Sequence, residues 1–184
     1  MRAISKAAAC FTFVLAFAAL SASGARADAA KPSVALLEMK LINDNEGLDP
    51  TSDAERARQV MLAEQFKKAL TDSGRYTIVP VTDEIKAGIA KSQALGECAG
   101  CEIEFGKKLG AERVAWITVQ KISNLILNLN VYMVDVAANK MAFIHSVDIR
   151  GNTDESWSRS LKYLMNNYML IDKPESGNGA PKTQ

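Results

Sequence analysis

Between Leu125 and Val136 the sequence alternates clearly over most of its length. Leu125, Leu127, Leu129, Val131 and Met133 share one parity, and Asn128, Asn130 and Tyr132 share the other. A period of two over this length is a β-strand with one face in a core and the other at least partly wet. A lone strand of this kind cannot bury its apolar face, so the rest of the chain has to supply further strands and a covering layer.

The neighbouring segments supply both. Residues 113–122 and 140–149 read as strands on either side of it, the second joined through a turn at Ala138-Asn139. Upstream, Pro32 precedes an apolar run, Val34-Ala35-Leu36-Leu37, that reads as a buried strand reaching about Ile42. A polar loop over 43–51 leads to Ser52 with Glu55 three residues on, a capping-box signature for a helix whose apolar face is Met61 or Leu62, Phe66 and Leu70 and which Gly74 ends. Residues 76–81 read as a short strand. Thr82 caps a helix to about Lys91 with Ile85 and Ile89 on one face. A helix from about Glu102 to Leu109 stops at Gly110, and Asn152 or Thr153 caps a last helix to about Leu170 with Trp157, Leu161, Leu164 and Tyr168 on one face. The order is β-α-β-α-α-β-β-β-α, which predicts a single α/β domain with helices packed on a mixed sheet.

The first residues belong to another category. Arg2 and Lys6 precede an uncharged, largely apolar stretch over 7–20, and Ala25-Arg26-Ala27 offers small residues at both recognition positions. This predicts a signal peptide over 1–27, cut after Ala27, a secreted domain over 28–171 and a disordered Pro/Gly/Ser-rich tail over 172–184. The apolar stretch is shorter than the ~20 residues of a bilayer span, and Cys10 lies inside it rather than after a small-residue cleavage site. The expected location is periplasmic or secreted, with no stable membrane anchor after cleavage.

Cleavage also changes the charge. The full chain of 184 residues is 48% hydrophobic and 23% charged, with a formal net charge of +1. These values exclude a disordered chain, a collagen-like repeat and a disulfide-dense miniprotein. Of the 22 Lys and Arg residues, Arg2, Lys6 and Arg26 lie in the leader and no acid does, so the remainder carries a net charge of −2. Mixed charge near neutrality speaks against nucleic acid and against an anionic membrane surface as partners.

After export only Cys98 and Cys101 remain, as C-x-x-C. A c-type haem needs His at position 102, which is Glu, and a closed zinc site needs two further soft ligands where His145 is the only histidine. A local structural disulfide suits an oxidising compartment and contributes about 2 kcal/mol through loop entropy. A thiol–disulfide redox pair is the alternative, because a helix N-terminus lowers thiol pKa. Against it, Glu97, Glu102 and Glu104 crowd the pair.

Three other groups invite a chemical reading. Asp44, Glu46, Asp49 and Asp53 fall close together, but a calcium loop begun at Asp44 puts Leu48 at the fifth position and Asp49 where Gly belongs. The expectation is a solvated acidic loop, with no metal site. His145 has the parity of Phe143, Val147 and Ile149, which predicts a packed, hydrogen-bonded histidine. Arg150-Gly151-Asn152-Thr153-Asp154 combines a strand end, a turn and a helix cap. Its plain role is turn and cap chemistry, and its functional reading is a polar docking edge. No G-x-S-x-G, H-E-x-x-H or phosphate-cradling glycine loop occurs, so no catalytic residue and no cofactor are assigned.

The strings Val119-Gln120-Lys121-Ile122-Ser123-Asn124-Leu125-Ile126-Leu127-Asn128-Leu129-Asn130 and Val147-Asp148-Ile149-Arg150-Gly151-Asn152-Thr153-Asp154-Glu155-Ser156-Trp157 resemble the signatures of a bacterial family of predicted secreted proteins with a domain of unknown function. The layout of the helix before Gly74-Arg75-Tyr76, and of the C-x-x-C before Leu109-Gly110-Ala111, is similar too. The resemblance spans about Val34 to Leu170. The element order is more distantly similar to the TolB N-terminal domain, to the curli secretion lipoprotein and to lipoprotein activators of peptidoglycan synthases. That similarity implies an envelope setting, although this chain lacks a lipidation cysteine, and it carries no catalytic residues over.

The function expected from these readings is a soluble periplasmic, non-enzymatic binding or adaptor protein that contacts an envelope protein complex. Its contact residues are expected among Arg150, Asn152, Asp154, Asn128, Asn130 and Tyr132. A redox protein using Cys98 and Cys101, or a small-ligand or metal carrier using the acidic loop, are the alternatives.

Overall fold

A computed structural model describes residues 31–171. The expected signal peptide, Cys10 and the tail over 172–184 lie outside the described residues.

Five strands form one mixed sheet: β1 (Ser33–Asn43), β2 (Thr77–Ile78), β3 (Arg113–Lys121), β4 (Ile126–Asp135) and β5 (Lys140–Arg150), in the spatial order β2-β1-β3-β4-β5. β1 is parallel to both β2 and β3, and β3-β4-β5 is an antiparallel meander. Asn139, with φ +49°, makes the β4–β5 turn, an excursion that Asn tolerates better than most residues. The helices are α1 (Asp53–Asp72), α2 (Asp83–Lys91), α3 (Cys101–Leu109) and α4 (Asp154–Leu164). The element order is the one the sequence predicts.

Local chemistry places the ends. The Ser52 side chain accepts from Glu55 N–H while the Glu55 carboxylate accepts from Ser52 N–H, closing the capping box on α1. Thr153 closes a capping box with Ser156 on α4, and Thr82 caps α2 through its side-chain oxygen alone, which accepts from Ile85 N–H. Gly74 follows α1 at φ +68°, a left-handed position where a β-carbon is strained. β2 is shorter than the expected 76–81 because Pro80, lacking an N–H, cannot continue a ladder.

Two layers cover the sheet. On one face α1 and α4 pack through Leu62, Phe66, Leu70, Trp157, Leu161 and Leu164 onto Ala115, Ile117, Val119, Leu127, Leu129, Val131 and Met133. On the other face α2, α3 and the loop between them pack through Ile85, Ile89, Leu95, Ile103 and Phe105 onto Ala35, Val114, Trp116 and Val136. Gly106 is where α3 comes closest: a β-carbon there would stand 2.6 Å from Val136 Cγ2 and 2.9 Å from Val114 Cγ1.

The structure corrects two placements. Leu125 is not on the core face but 77% exposed, because it precedes the first residue of β4 and sits in the turn from β3. Tyr168 does not continue the buried stripe of α4. The helix ends in a π turn, Met165–Met169, whose extra residue per turn brings Met165 and Met169 into the core and rotates Tyr168 outward. There Tyr168 stacks on His145 at 3.6 Å between ring centroids.

Candidate functional site

Pairing registers define a continuous surface on the face that carries α2 and α3. One row runs Glu38, Trp116, Tyr132, Ile144 across β1, β3, β4 and β5; the next runs Lys40, Thr118, Asn130, Ser146; the third runs Ile42, Gln120, Asn128, Asp148. Arg150 lies beyond them, opposite Ile126. The buried cluster beneath α2 and α3 reaches Trp116 and includes Tyr132 at its edge, but none of the residues of the second and third rows. The helices therefore cover one end of this face and leave the other end open.

Trp116 and Tyr132 mark the boundary. Their rings stack at 5.0 Å with an interplanar angle of 8°, and Gly96 of the α2–α3 loop lies against the indole. Past that stack the side chains are held sideways rather than from above. Asn130 Nδ2 donates to Thr118 Oγ1 at 3.4 Å, Ser146 Oγ donates to Asn128 Oδ1 at 2.6 Å, and Asn128 Nδ2 donates to Asp148 Oδ1 at 3.4 Å. Cross-strand bonds of this kind fix a polar surface without hiding it. Around it stand exposed apolar side chains: Leu125, Ile144 at 61%, Ile126 at 59% and Ile122 at 51%.

The structure brings four of the sequence-derived contact residues together here, Asn128, Asn130, Tyr132 and Arg150. It engages Asn152 and Asp154 in contacts with α1, with the Asp154 side chain still 73% exposed. Asn152 Nδ2 donates to Glu55 Oε1 at 2.6 Å and to Asn124 Oδ1 at 2.9 Å, while its Oδ1 accepts from Trp157 Nε1 at 3.0 Å and from an Arg58 terminal nitrogen at 3.1 Å. Asp154 pairs with Arg58 at 2.7 Å. Both residues fasten the β5–α4 turn to α1.

That network has a centre that sequence patterning misses. Lys121 and Glu55 are each 2% exposed and lie 2.7 Å apart, and Lys121 Nζ also reaches Asp49 at 2.9 Å. Burial pushes the Glu55 carboxyl up, but hydrogen bonds from Lys121, from Ser52 and from Asn152 outweigh it and hold the group at about 2. Burial pulls Lys121 down, and its two carboxylates more than restore it, leaving it raised. A carboxylate ionised this firmly is a poor general base near neutrality, and an ammonium held this way is no nucleophile. The cluster is a fastening between α1, the end of β3 and the loops beside them. The only advance signals are the capping box, which brings Glu55 inward, and the odd parity of Lys121 in the core-facing series of β3.

The remaining candidates are structural in their contacts. Cys98 and Cys101 form a disulfide at the start of α3, packed against the cluster under α2 and α3. Buried Glu102 accepts from Gly96 N–H and so ties down the loop before the pair. The donor atoms of Cys98, Cys101 and Glu102 lie within 4.8 Å of one another, but both sulfurs are spent in the bond. His145 packs by stacking on Tyr168 and tilting against Phe143, not through the hydrogen bond expected of it. The acidic loop is only partly solvated: Glu46 accepts from Thr51 and Asn43, and hydrogen bonds from Thr51 lower its carboxyl. Among the described residues, no helix is long and apolar enough to cross a membrane.

Comparison with known proteins adds a family and a set of likenesses. Residues 32–169 match the profile described as "Protein of unknown function (DUF2380)". Among curated proteins none matches. Among solved structures the chain is similar to the LpoB C-terminal domain from Salmonella enterica, at 15% identity and a TM-score of 0.46 over 65% of this chain and 83% of that one. It is also similar to the PelC dodecamer from Paraburkholderia phytofirmans, at 9% identity and 0.46 over 73% and 84%. A third likeness is to TolB from Acinetobacter baumannii, at 13% identity and 0.41 over 72% of this chain and 27% of that one.

Proposed function

The chain belongs to this family of unknown function, and from its open sheet face we propose that it is a periplasmic, non-enzymatic adaptor that docks on an envelope protein complex. The observation that supports the reading is the uncovered end of the sheet, where a laterally bonded polar row is flanked by exposed Leu125, Ile126 and Ile144. Antiparallel sheets often leave one face to water, and such a face is mainly polar, so grouped apolar side chains on it are informative. Large apolar side chains beside fixed amides and a cation at Arg150 suit a protein surface better than solvent.

Tyr132 and Arg150 lie at opposite ends of this face and are the anchors of the reading. The expected result is that Tyr132→Ala with Arg150→Glu abolishes recovery of a crosslinked envelope partner by the tagged protein in intact cells. Unchanged recovery from the folded double variant would remove the surface assignment. No observation favours a redox reading over this one: Cys98 and Cys101 are bonded and pack against the cluster under α2 and α3.

A further inference from the structure

β1 has an edge that the fold does not use. On the side away from β3, β2 pairs only with Ser33 and Val34, and Val79 N–H closes this short ladder on the Val34 carbonyl at 2.8 Å. Pro80 then turns the chain away, leaving a groove of about 900 Å³ between α1 and α2 whose floor is Leu36 to Met39. That volume is in the range of ligand clefts, ~300–1,000 Å³.

The floor is backbone as much as side chain. Leu41 N–H points to this open side, where its acceptor is not a strand but the Gln59 side chain, with Oε1 at 2.9 Å. By the two-residue period Met39 presents its own N–H and C=O in the same direction. The walls carry apolar side chains, Val60 and Ala63 on α1 and Ile89 and Ala90 on α2, beside the charged Glu64 and Lys67. Val60 is 65% exposed. The cations of the lining are already matched, Arg56 with Asp53 at 2.7 Å, Lys86 with Asp83 at 2.8 Å and Lys67 with Glu64 at 2.5 Å, and Glu38 adds a carboxylate to the floor.

We propose that this slot accepts, by strand addition to the open edge of β1, an extended apolar segment of a partner protein. Unpaired ladder groups select an extended backbone, and apolar wall residues beside cations already matched within the chain select uncharged side chains at alternate positions. Gln59 holds the place of the incoming carbonyl at Leu41. This site shares only Glu38 with the rows of the open sheet face and otherwise lies on the opposite side of β1 from β3.

A library of random short peptides displayed on phage, selected on the intact protein, supplies the probe, and a recovered peptide is then synthesised. The expected outcome is an apolar alternating sequence whose affinity falls at least about tenfold when alternate peptide nitrogens are methylated, and likewise in the folded Val60→Arg variant. Gln59→Ala, which frees Leu41 N–H, should tighten binding about fivefold, the equivalent of one neutral hydrogen bond. Failure to recover any peptide that Val60→Arg rejects overturns the proposal. So does binding that ignores backbone methylation. Self-association abolished by Val60→Arg would assign the slot to a second copy and also overturn it.

Discussion

Lys121 and Glu55 form an ion pair of 2.7 Å with both side chains almost fully out of water. The pair joins the end of β3 to the first turn of α1, and through Asn152 it reaches the turn before α4. Buried pairs cost desolvation when they form, so their effect shows mainly when one member is taken away.

Lys121→Ala should therefore destabilise the domain by about 3–5 kcal/mol, because Glu55 is left charged and buried. Lys121→Met combined with Glu55→Gln should recover a large part of that loss. Urea denaturation of the three proteins reads the difference, and equal stability of Lys121→Ala and wild type would contradict the role given to the pair.

The same pair sets an acid limit. The Glu55 carboxyl is held at about 2 in the fold against 4.5 ordinarily, so the unfolded chain takes up its proton first as the pH falls. The contribution is complete above the ordinary value and declines as pH drops from about 4.5 toward 2. Denaturation midpoints should be flat in this respect above pH 5 and fall below it, and Glu55→Gln should flatten that decline.

Asn152 and Arg150 should separate stability from docking. Asn152→Ala strands Trp157 Nε1 and removes a donor from Glu55, so it should cost about 1–3 kcal/mol. Arg150 is exposed at the end of β5, and Arg150→Glu should leave the melting temperature close to wild type while weakening partner recovery. Calorimetry alongside crosslinking tests both halves.

For the cysteines, replacement of both Cys98 and Cys101 by Ser should lower stability by about 2 kcal/mol, as closure of so small a loop implies, and leave partner recovery intact. A variant that keeps its stability and loses the partner would point to thiol chemistry instead. The reduction potential of the native bond should lie below about −300 mV, as for structural disulfides.

Much of the architecture is legible in the sequence because periodicity and capping are local. The alternation of β4 identifies its buried residues from Leu127 to Met133, and Ser52 with Glu55 marks the start of α1 to the residue. What is not legible depends on local backbone irregularities and on contacts distant in sequence. Leu125 keeps the parity of the core face, yet the turn from β3 takes it out of the strand. Tyr168 keeps the helical spacing of α4, yet the π turn rotates it outward. Asn152 and Asp154 read as a docking edge beside Arg150, and folding adds contacts with Glu55 and Arg58 of α1 that the sequence does not announce. The open face itself follows from register, which groups Asn128, Asn130 and Arg150, and from helices too short to cover the sheet. Neither can be read from one segment alone.

The most direct test of the adaptor account is a photo-crosslinking amino acid placed at Asn130 or Ser146, at the centre of the open face, and at Lys68 on the exposed side of α1 as a control. The account predicts one reproducible envelope protein joined from the two face positions and not from Lys68. The same adduct from all three positions, or none from the face in protein shown to be folded, would contradict it.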